Sequence, residues 1–267
     1  MAHRIDALVP TLFRQVHRIR PLSLSRRLAM PLTSPNLKRI VAFNLTGLLL
    51  LLSWAWPHGV FWLDLDDKVF WTFNHWITPD NGLWDDALAL LNTRFFDAAS
   101  FGVMGVLFTI AMRRDARPDR VRRWVGIGMT MLVTAGVLAL VTDKAITYGH
   151  PSPTRFFANA MHLTDIVSIP TKDGAANSFP GDHGLMLMIF AGYMLRFADR
   201  RVATWSVAFV VLLSAPRIMV GAHWFSDVYM GALSIALLAL PWVLCTPLAS
   251  RSAGAIQRGL SRFKPTR

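Results

Sequence analysis

The sequence predicts an all-α, polytopic membrane protein with six transmembrane helices. Three observations carry this expectation. The 267 residues are 53% hydrophobic with a mean hydropathy of +0.38, and 16% are charged, against about 25% in an ordinary soluble domain. Six apolar stretches approach the length of about 20 residues that a bilayer crossing needs. Basic residues crowd into alternate gaps between those stretches, the pattern that orients helices in a membrane.

Residues 1–39 form a basic N-terminal extension. In it, Ile5, Leu8, Val9, Leu12, Val16 and Ile19 recur at helical spacing among Arg4, Arg14, Arg18 and Arg20. That pattern fits either an amphipathic helix on the inner membrane surface or a disordered basic tail. The proline-broken PLSLSRRLAMPLTSP that follows reads as a connector. A six-helix catalytic domain is expected over 40–250, and a basic cytoplasmic tail over 251–267.

The first span, 40–60, lies far from the start and lacks a small-residue cleavage site, so it reads as an uncleaved signal anchor. In the outer loop 61–93, Phe61, Trp62, Phe70, Trp71, Phe73, Trp76 and Trp84 sit among aspartates. They suit an interfacial aromatic belt or the lining of an entry for a lipid tail. NTRFFD, residues 92–97, opens the second span, with Arg94 placed to pair with Asp97 or bind an anionic head group. Spans two and three are expected at 95–112 and 124–142. The loop 144–182 exceeds the roughly 12–15 residues beyond which irregular loops are often functional, and it runs directly into His183. The remaining spans are expected at 183–198, the shortest, then 202–221 and 223–246.

The net charge of +12 comes from 28 Lys and Arg against 16 Asp, with no Glu. With an internal N-terminus, 22 of the 28 basic residues fall on one side, which makes both termini cytoplasmic. Topology and attraction to anionic lipid thus account for the charge, and nucleic acid is not an expected partner. A single cysteine, Cys245, excludes an intrachain disulfide.

This topology brings polar groups from four spans to one membrane face: Lys144, His183, Arg217, and His223 with Asp227. Ionisable residues at such depth tend to face a cavity or a partner. In PRIMVGAHWFSD, residues 216–227, His223 and Asp227 stand four apart and would share a helix face. The carboxylate would then fix the imidazole tautomer and leave the other nitrogen free to attack phosphorus. Arg217 would join them if the chain turns around Gly221, offering its fork to phosphate oxygens. His183 supplies a second imidazole, able to protonate a leaving phosphate oxygen. The residues alone leave three alternatives open: a phosphoryl-handling site, a metal site built from His183, His223, Asp182 and Asp227, or a structural or transport network. Arg217 disfavours the cation, so no metal is expected. No redox or nucleotide-loop pattern accompanies these residues, so no cofactor is expected either.

Arg217, five residues, His223, three residues and Asp227 resemble the third motif of the membrane-embedded type-2 phosphatidic acid phosphatase superfamily, with Pro216 in place of its serine. Pro180, Gly181, Asp182 and His183 are similar to its second motif, Pro-Ser-Gly-His. The resemblance implies that superfamily's helical arrangement, with His223 as nucleophile, Asp227 orienting it and His183 as leaving-group acid. The first motif, Lys, six residues, Arg-Pro, is matched only at Lys144, with His150–Pro151 arriving one residue early. Arg155 is a rival phosphate ligand. Gly181 removes a hydroxyl, Asp182 adds a carboxylate where the superfamily has glycine, and Lys172 stands ready to face it. TKD, residues 171–173, is a candidate head-group contact. Residues 40–250 further resemble the bacterial members that move phosphate from undecaprenyl pyrophosphate to lipid A. That implies an inner-membrane phosphotransferase of lipopolysaccharide modification whose site faces the periplasm. Its products would be lipid A 1-diphosphate and undecaprenyl phosphate, and a phosphatase using the same site is the alternative.

Overall fold

A computed structural model describes residues 34–55 and 59–262. The surface helix expected near the N-terminus lies outside them. Ten α-helices follow in order: α1 (Leu37–Ala55), α2 (Val60–Asn74), α3 (Gly82–Leu90), α4 (Arg94–Arg114), α5 (Arg120–Ala145), the single turn α6 (Pro153–Phe156), α7 (Asp182–Phe197), α8 (Arg200–Met219), α9 (Leu233–Leu244) and α10 (Leu248–Arg262). A 3₁₀ turn covers Leu163–Asp165, and a π turn, Asp227–Ala232, leads into α9.

Among the described residues, five helical stretches are long and apolar enough to cross a membrane: α1, α4, α5, α8, and the π turn with α9. The stretch expected as span four, α7, has 16 residues and reaches about 24 Å at 1.5 Å per residue. It is the centre of the bundle. Leu185, Leu187, Ile189, Phe190, Tyr193 and Met194 are buried against α5, α8 and α9, whereas Met186 and Leu195 are exposed. A helix apolar all round belongs inside such a core.

The interior proline of α9 and the buried Tyr193 find partners across the bundle. Pro241 in α9 lacks an N–H, which frees the carbonyl four residues earlier. Asn44 of α1 supplies that missing donor, its side-chain amide bonding Leu237 O at 3.0 Å and Leu238 O at 3.1 Å. The Tyr193 hydroxyl meets Thr134 Oγ1 of α5 at 2.7 Å.

Helices also occupy segments expected as a loop and a tail. The loop 61–93 holds two helices, α2 and α3, because its aromatics find partners: Phe70 stacks on Phe157, and Trp76 meets Trp84 edge-on. α10 runs through position 250 into the segment expected as a tail and lies along α5. Gly126 permits that contact. A Cβ there would stand 2.4 Å from the Ala253 carbonyl oxygen.

Candidate active site

The start of α4, the end of α5, the start of α7, the end of α8 and the segment before the π turn meet at one end of the bundle. They enclose a cavity of about 660 Å³. Its polar wall carries His183, His223, Arg217, Asp97, Lys172 and Asp182, and its apolar wall includes Ala135, Ala139, Leu185 and Met186.

The chain does turn at Gly221, the condition for Arg217 to join the site. Gly221 has φ 81°, a left-handed conformation that favours glycine. A Cβ there would stand 2.7 Å from both the Phe70 ring and the Thr154 methyl. The turn folds the chain back so that the Ala222 and His223 amides donate to the Arg217 carbonyl at 3.0 and 3.1 Å. Arg217 and His223 therefore open onto one space.

His223 and Asp227 meet differently from expectation. His223 precedes the helical segment instead of lying on its face. Its Nδ1–H donates to the Ser178 carbonyl at 2.8 Å, whereas Asp227 Oδ2 stands 3.6 Å from the same nitrogen. A carbonyl only accepts, so Nδ1 carries the proton and Nε2 keeps its lone pair. The tautomer expected from Asp227 is held by a main-chain oxygen. Asp227 is fully buried, with Oδ2 accepting from the Trp224 amide at 2.9 Å and Oδ1 facing His150 Nδ1 at 3.3 Å.

Arg217 is buried and paired. Its Nη2 donates to Asp97 Oδ1 at 2.5 Å, and the same carboxylate oxygen lies 3.9 Å from His183 Nδ1. The pairing expected between Asp97 and Arg94 gives way to this one, because Arg94 sits exposed at the start of α4 while Asp97 lies one turn further in. His183 Nε2 is buried without a hydrogen-bond partner among the described residues. Gly181, with φ 75°, turns the chain into α7 just before it.

Lys172 and Asp182 are exposed at the cavity wall, and Asp182 Oδ1 accepts from the His183 amide at 2.7 Å. In TKD, Asp173 instead binds the amide and hydroxyl of Thr164, at 3.0 and 2.9 Å. Two expected phosphate ligands lie elsewhere. Lys144 is 82% exposed beside Asp143 and does not line the cavity, although Asp143 and Ile146 on either side of it do. Arg155 is exposed on α6, packed over Gly174. Among the described residues no three His, Cys, Asp or Glu side chains converge to hold a metal ion.

Sequence reasoning missed the roles of Asp97, Ser178 and His150. For Asp97 the available signal was a carboxylate at the same end of a span as Arg217. A main-chain acceptor such as Ser178 O leaves no signal in side-chain chemistry.

A second carboxylate braces the site from outside. Asp66 of α2 is buried and accepts from the Ser226 amide at 2.8 Å and from its hydroxyl at 2.5 Å. Burial pushes the Asp66 carboxyl up to about 6, against the lowering pull of those hydrogen bonds.

Among the described residues, a helical bundle with two imidazoles and a buried guanidinium around one cavity at the end of apolar helices suits a membrane protein that handles phosphate. Residues 123–251 match the PAP2 superfamily, and the chain belongs to it. It is 41% identical over 219 residues to lipid A 1-diphosphate synthase of Escherichia coli (strain K12), covering 81% of this chain and 91% of that protein. It is 35% identical over 112 residues to lipid A 1-phosphatase of Rhizobium etli, covering 40% of this chain and 44% of that one. No solved structure matches significantly.

Proposed function

We propose that the protein transfers the terminal phosphate of undecaprenyl pyrophosphate to the 1-phosphate of lipid A. The observation that carries the chemistry is His223: its Nδ1–H is held by Ser178 O while the ring lines the cavity beside Arg217. The identity to lipid A 1-diphosphate synthase over most of both chains supports the acceptor.

In the first half-reaction His223 Nε2 attacks the terminal phosphorus. The bond from that phosphorus to the bridging oxygen breaks, and His183 gives its proton to the departing undecaprenyl phosphate. In the second half, a 1-phosphate oxygen of lipid A attacks the phosphohistidine. The N–P bond breaks, His183 takes back the proton if that oxygen carries one, and lipid A 1-diphosphate leaves. Arg217 neutralises the transferring phosphoryl group with guanidinium N–H groups that its bond to Asp97 leaves available. Lys172, at the cavity wall, is placed for the charged head group, and the adjoining carboxylate of Asp182 tunes which anion enters. The apolar wall of Ala135, Ala139, Leu185 and Met186 suits a lipid chain.

The distribution of basic residues supports six spans, α7 included, with cytoplasmic termini and a cavity facing the periplasm of an inner membrane. The test is reconstitution with undecaprenyl pyrophosphate labelled in its terminal phosphate, with and without lipid A. Label on lipid A that disappears in His223→Ala supports transfer. Free phosphate released at one rate with or without acceptor assigns the site to hydrolysis instead, the reading that similarity to lipid A 1-phosphatase favours. Function unaffected by His223→Ala would indicate a carrier.

A further inference from the structure

The mechanism leaves unexplained why Asp227, the buried carboxylate behind the nucleophile, makes no close hydrogen bond to it. Asp227 has two closer donors, the Trp224 amide at 2.9 Å and His150 Nδ1 at 3.3 Å. A buried carboxylate is acceptor-only when ionised, so the Nδ1 that faces it carries a proton. The His150 ring is held for this contact, stacked on Tyr148 and Trp224 at centroid distances of 5.3 and 5.5 Å. Trp224 is itself fixed by its indole N–H, which donates to Pro151 O at 2.8 Å.

The main chain of the same residue does a second job. His150 O accepts from the Ser178 amide at 2.7 Å and from the Ser178 hydroxyl at 3.0 Å. Ser178 O is the acceptor for His223 Nδ1–H. His150, Ser178, His223 and Asp227 thus form a closed circuit, in which His150 anchors both groups that stand behind the nucleophile.

We propose that His150 is a positioning residue for phosphohistidine formation: its ring holds Asp227 and its carbonyl holds Ser178, so that His223 keeps one tautomer and one orientation throughout turnover. When Nε2 takes up the phosphoryl group with Nδ1 still protonated, the imidazole ring becomes cationic. The fixed carboxylate 3.6 Å away stabilises that charge without rearrangement. Unlike the arginine of the superfamily's first motif, which its place in the sequence echoes, His150 contacts the carboxylate and does not line the cavity.

The inference rests on the phosphohistidine reading of the site, and the experiment separates the two. Purified His150→Asn and His150→Phe proteins are compared with wild type, using undecaprenyl pyrophosphate labelled in its terminal phosphate. Asn places an amide N–H near the position of Nδ1, whereas Phe keeps the stack and removes the donor. Neither changes the carbonyl to Ser178. Partners that orient metal-ligating histidines are worth about 10- to 100-fold in activity, and an effect of the same order is expected for a partner that orients a nucleophilic histidine. His150→Phe is expected to lose kcat and the rate of His223 labelling on that scale, with KM nearly unchanged, and His150→Asn to recover most of both. Wild-type turnover in His150→Phe overturns the proposal, as does equal impairment of the two variants, or a defect confined to KM. If His150→Phe does not fold, His150→Gln, whose amide reaches past Nδ1, replaces it with the same expected loss. Absence of acid-labile, His223-dependent label from the wild type sinks the phosphohistidine reading and this inference together. Labelled wild type with an unimpaired Phe variant sinks the inference alone.

Discussion

At the scale of single residues, the proposed site holds its buried charges, Arg217 and Asp227, on partners within the protein. Arg217 is buried, and an unpaired guanidinium in that position would be costly. Asp97 holds it at 2.5 Å before any phosphate arrives. Removing the carboxylate in Asp97→Ala frees the side chain to move out of register. A charge-assisted hydrogen bond is worth about 1.5–3 kcal/mol, so a rise of about tenfold or more in KM for undecaprenyl pyrophosphate is expected. Initial-rate kinetics in detergent would detect it, and an unchanged KM would show that Arg217 orients itself unaided. Lys144→Ala makes a useful contrast. Its ammonium is 82% exposed beside Asp143, and the substitution is expected to leave KM and kcat nearly unaltered by the same assay.

At the scale of elements, two connections decide whether the proposed catalytic groups meet. The first is the turn at Gly221, which returns His223 to Arg217. Gly221→Ala forces a side chain into the left-handed region with 2.7 Å contacts to Phe70 and Thr154. A loss of about 1–3 kcal/mol of stability is expected from such strain, visible as a lower melting temperature, and activity should fall with it. The second is the Asp66–Ser226 contact that ties α2 to the start of the π turn. The Asp66 carboxyl is pushed from 3.8 up to about 6 by burial. Between those values the folded state binds more protons than the unfolded state, so the contribution of this group to stability falls as pH rises toward 6. Asp66→Asn removes that titration. Its melting temperature relative to wild type is therefore expected to rise between pH 4.5 and 7, and a constant difference across that range would refute the assignment.

At the scale of the whole molecule, α7 packs most of its residues against neighbouring helices, and its first residues deliver His183 to the cavity. The proposed orientation puts the α2–α3 connection on the periplasmic side and the α4–α5 connection in the cytoplasm. In a Cys245→Ser background, Asp80→Cys should react with a membrane-impermeant maleimide in spheroplasts, and Ala116→Cys only after lysis. The reverse result would invert the topology. Both positions are exposed, so burial does not confound the comparison.

Much of this protein is legible in its sequence because the relevant physics is local or compositional. Apolar length and basic-residue bias pointed to a multi-pass helical membrane protein, and the spacing of Arg217, His223 and Asp227 suggested phosphoryl chemistry through its resemblance to a superfamily motif. The length of α7 was also readable, but its place at the bundle centre follows from what surrounds it. Tertiary structure alone paired Arg217 with Asp97 across 120 positions, His150 with Asp227 across 77, and His223 with Ser178 O across 45. It also left Lys144 and Arg155 outside the cavity. The reason is physical: residue type and spacing fix which groups are available and which neighbours can share a turn. Partners from different helices are selected only when packing sets the distance between them, and a main-chain carbonyl carries no residue identity by which to be found beforehand.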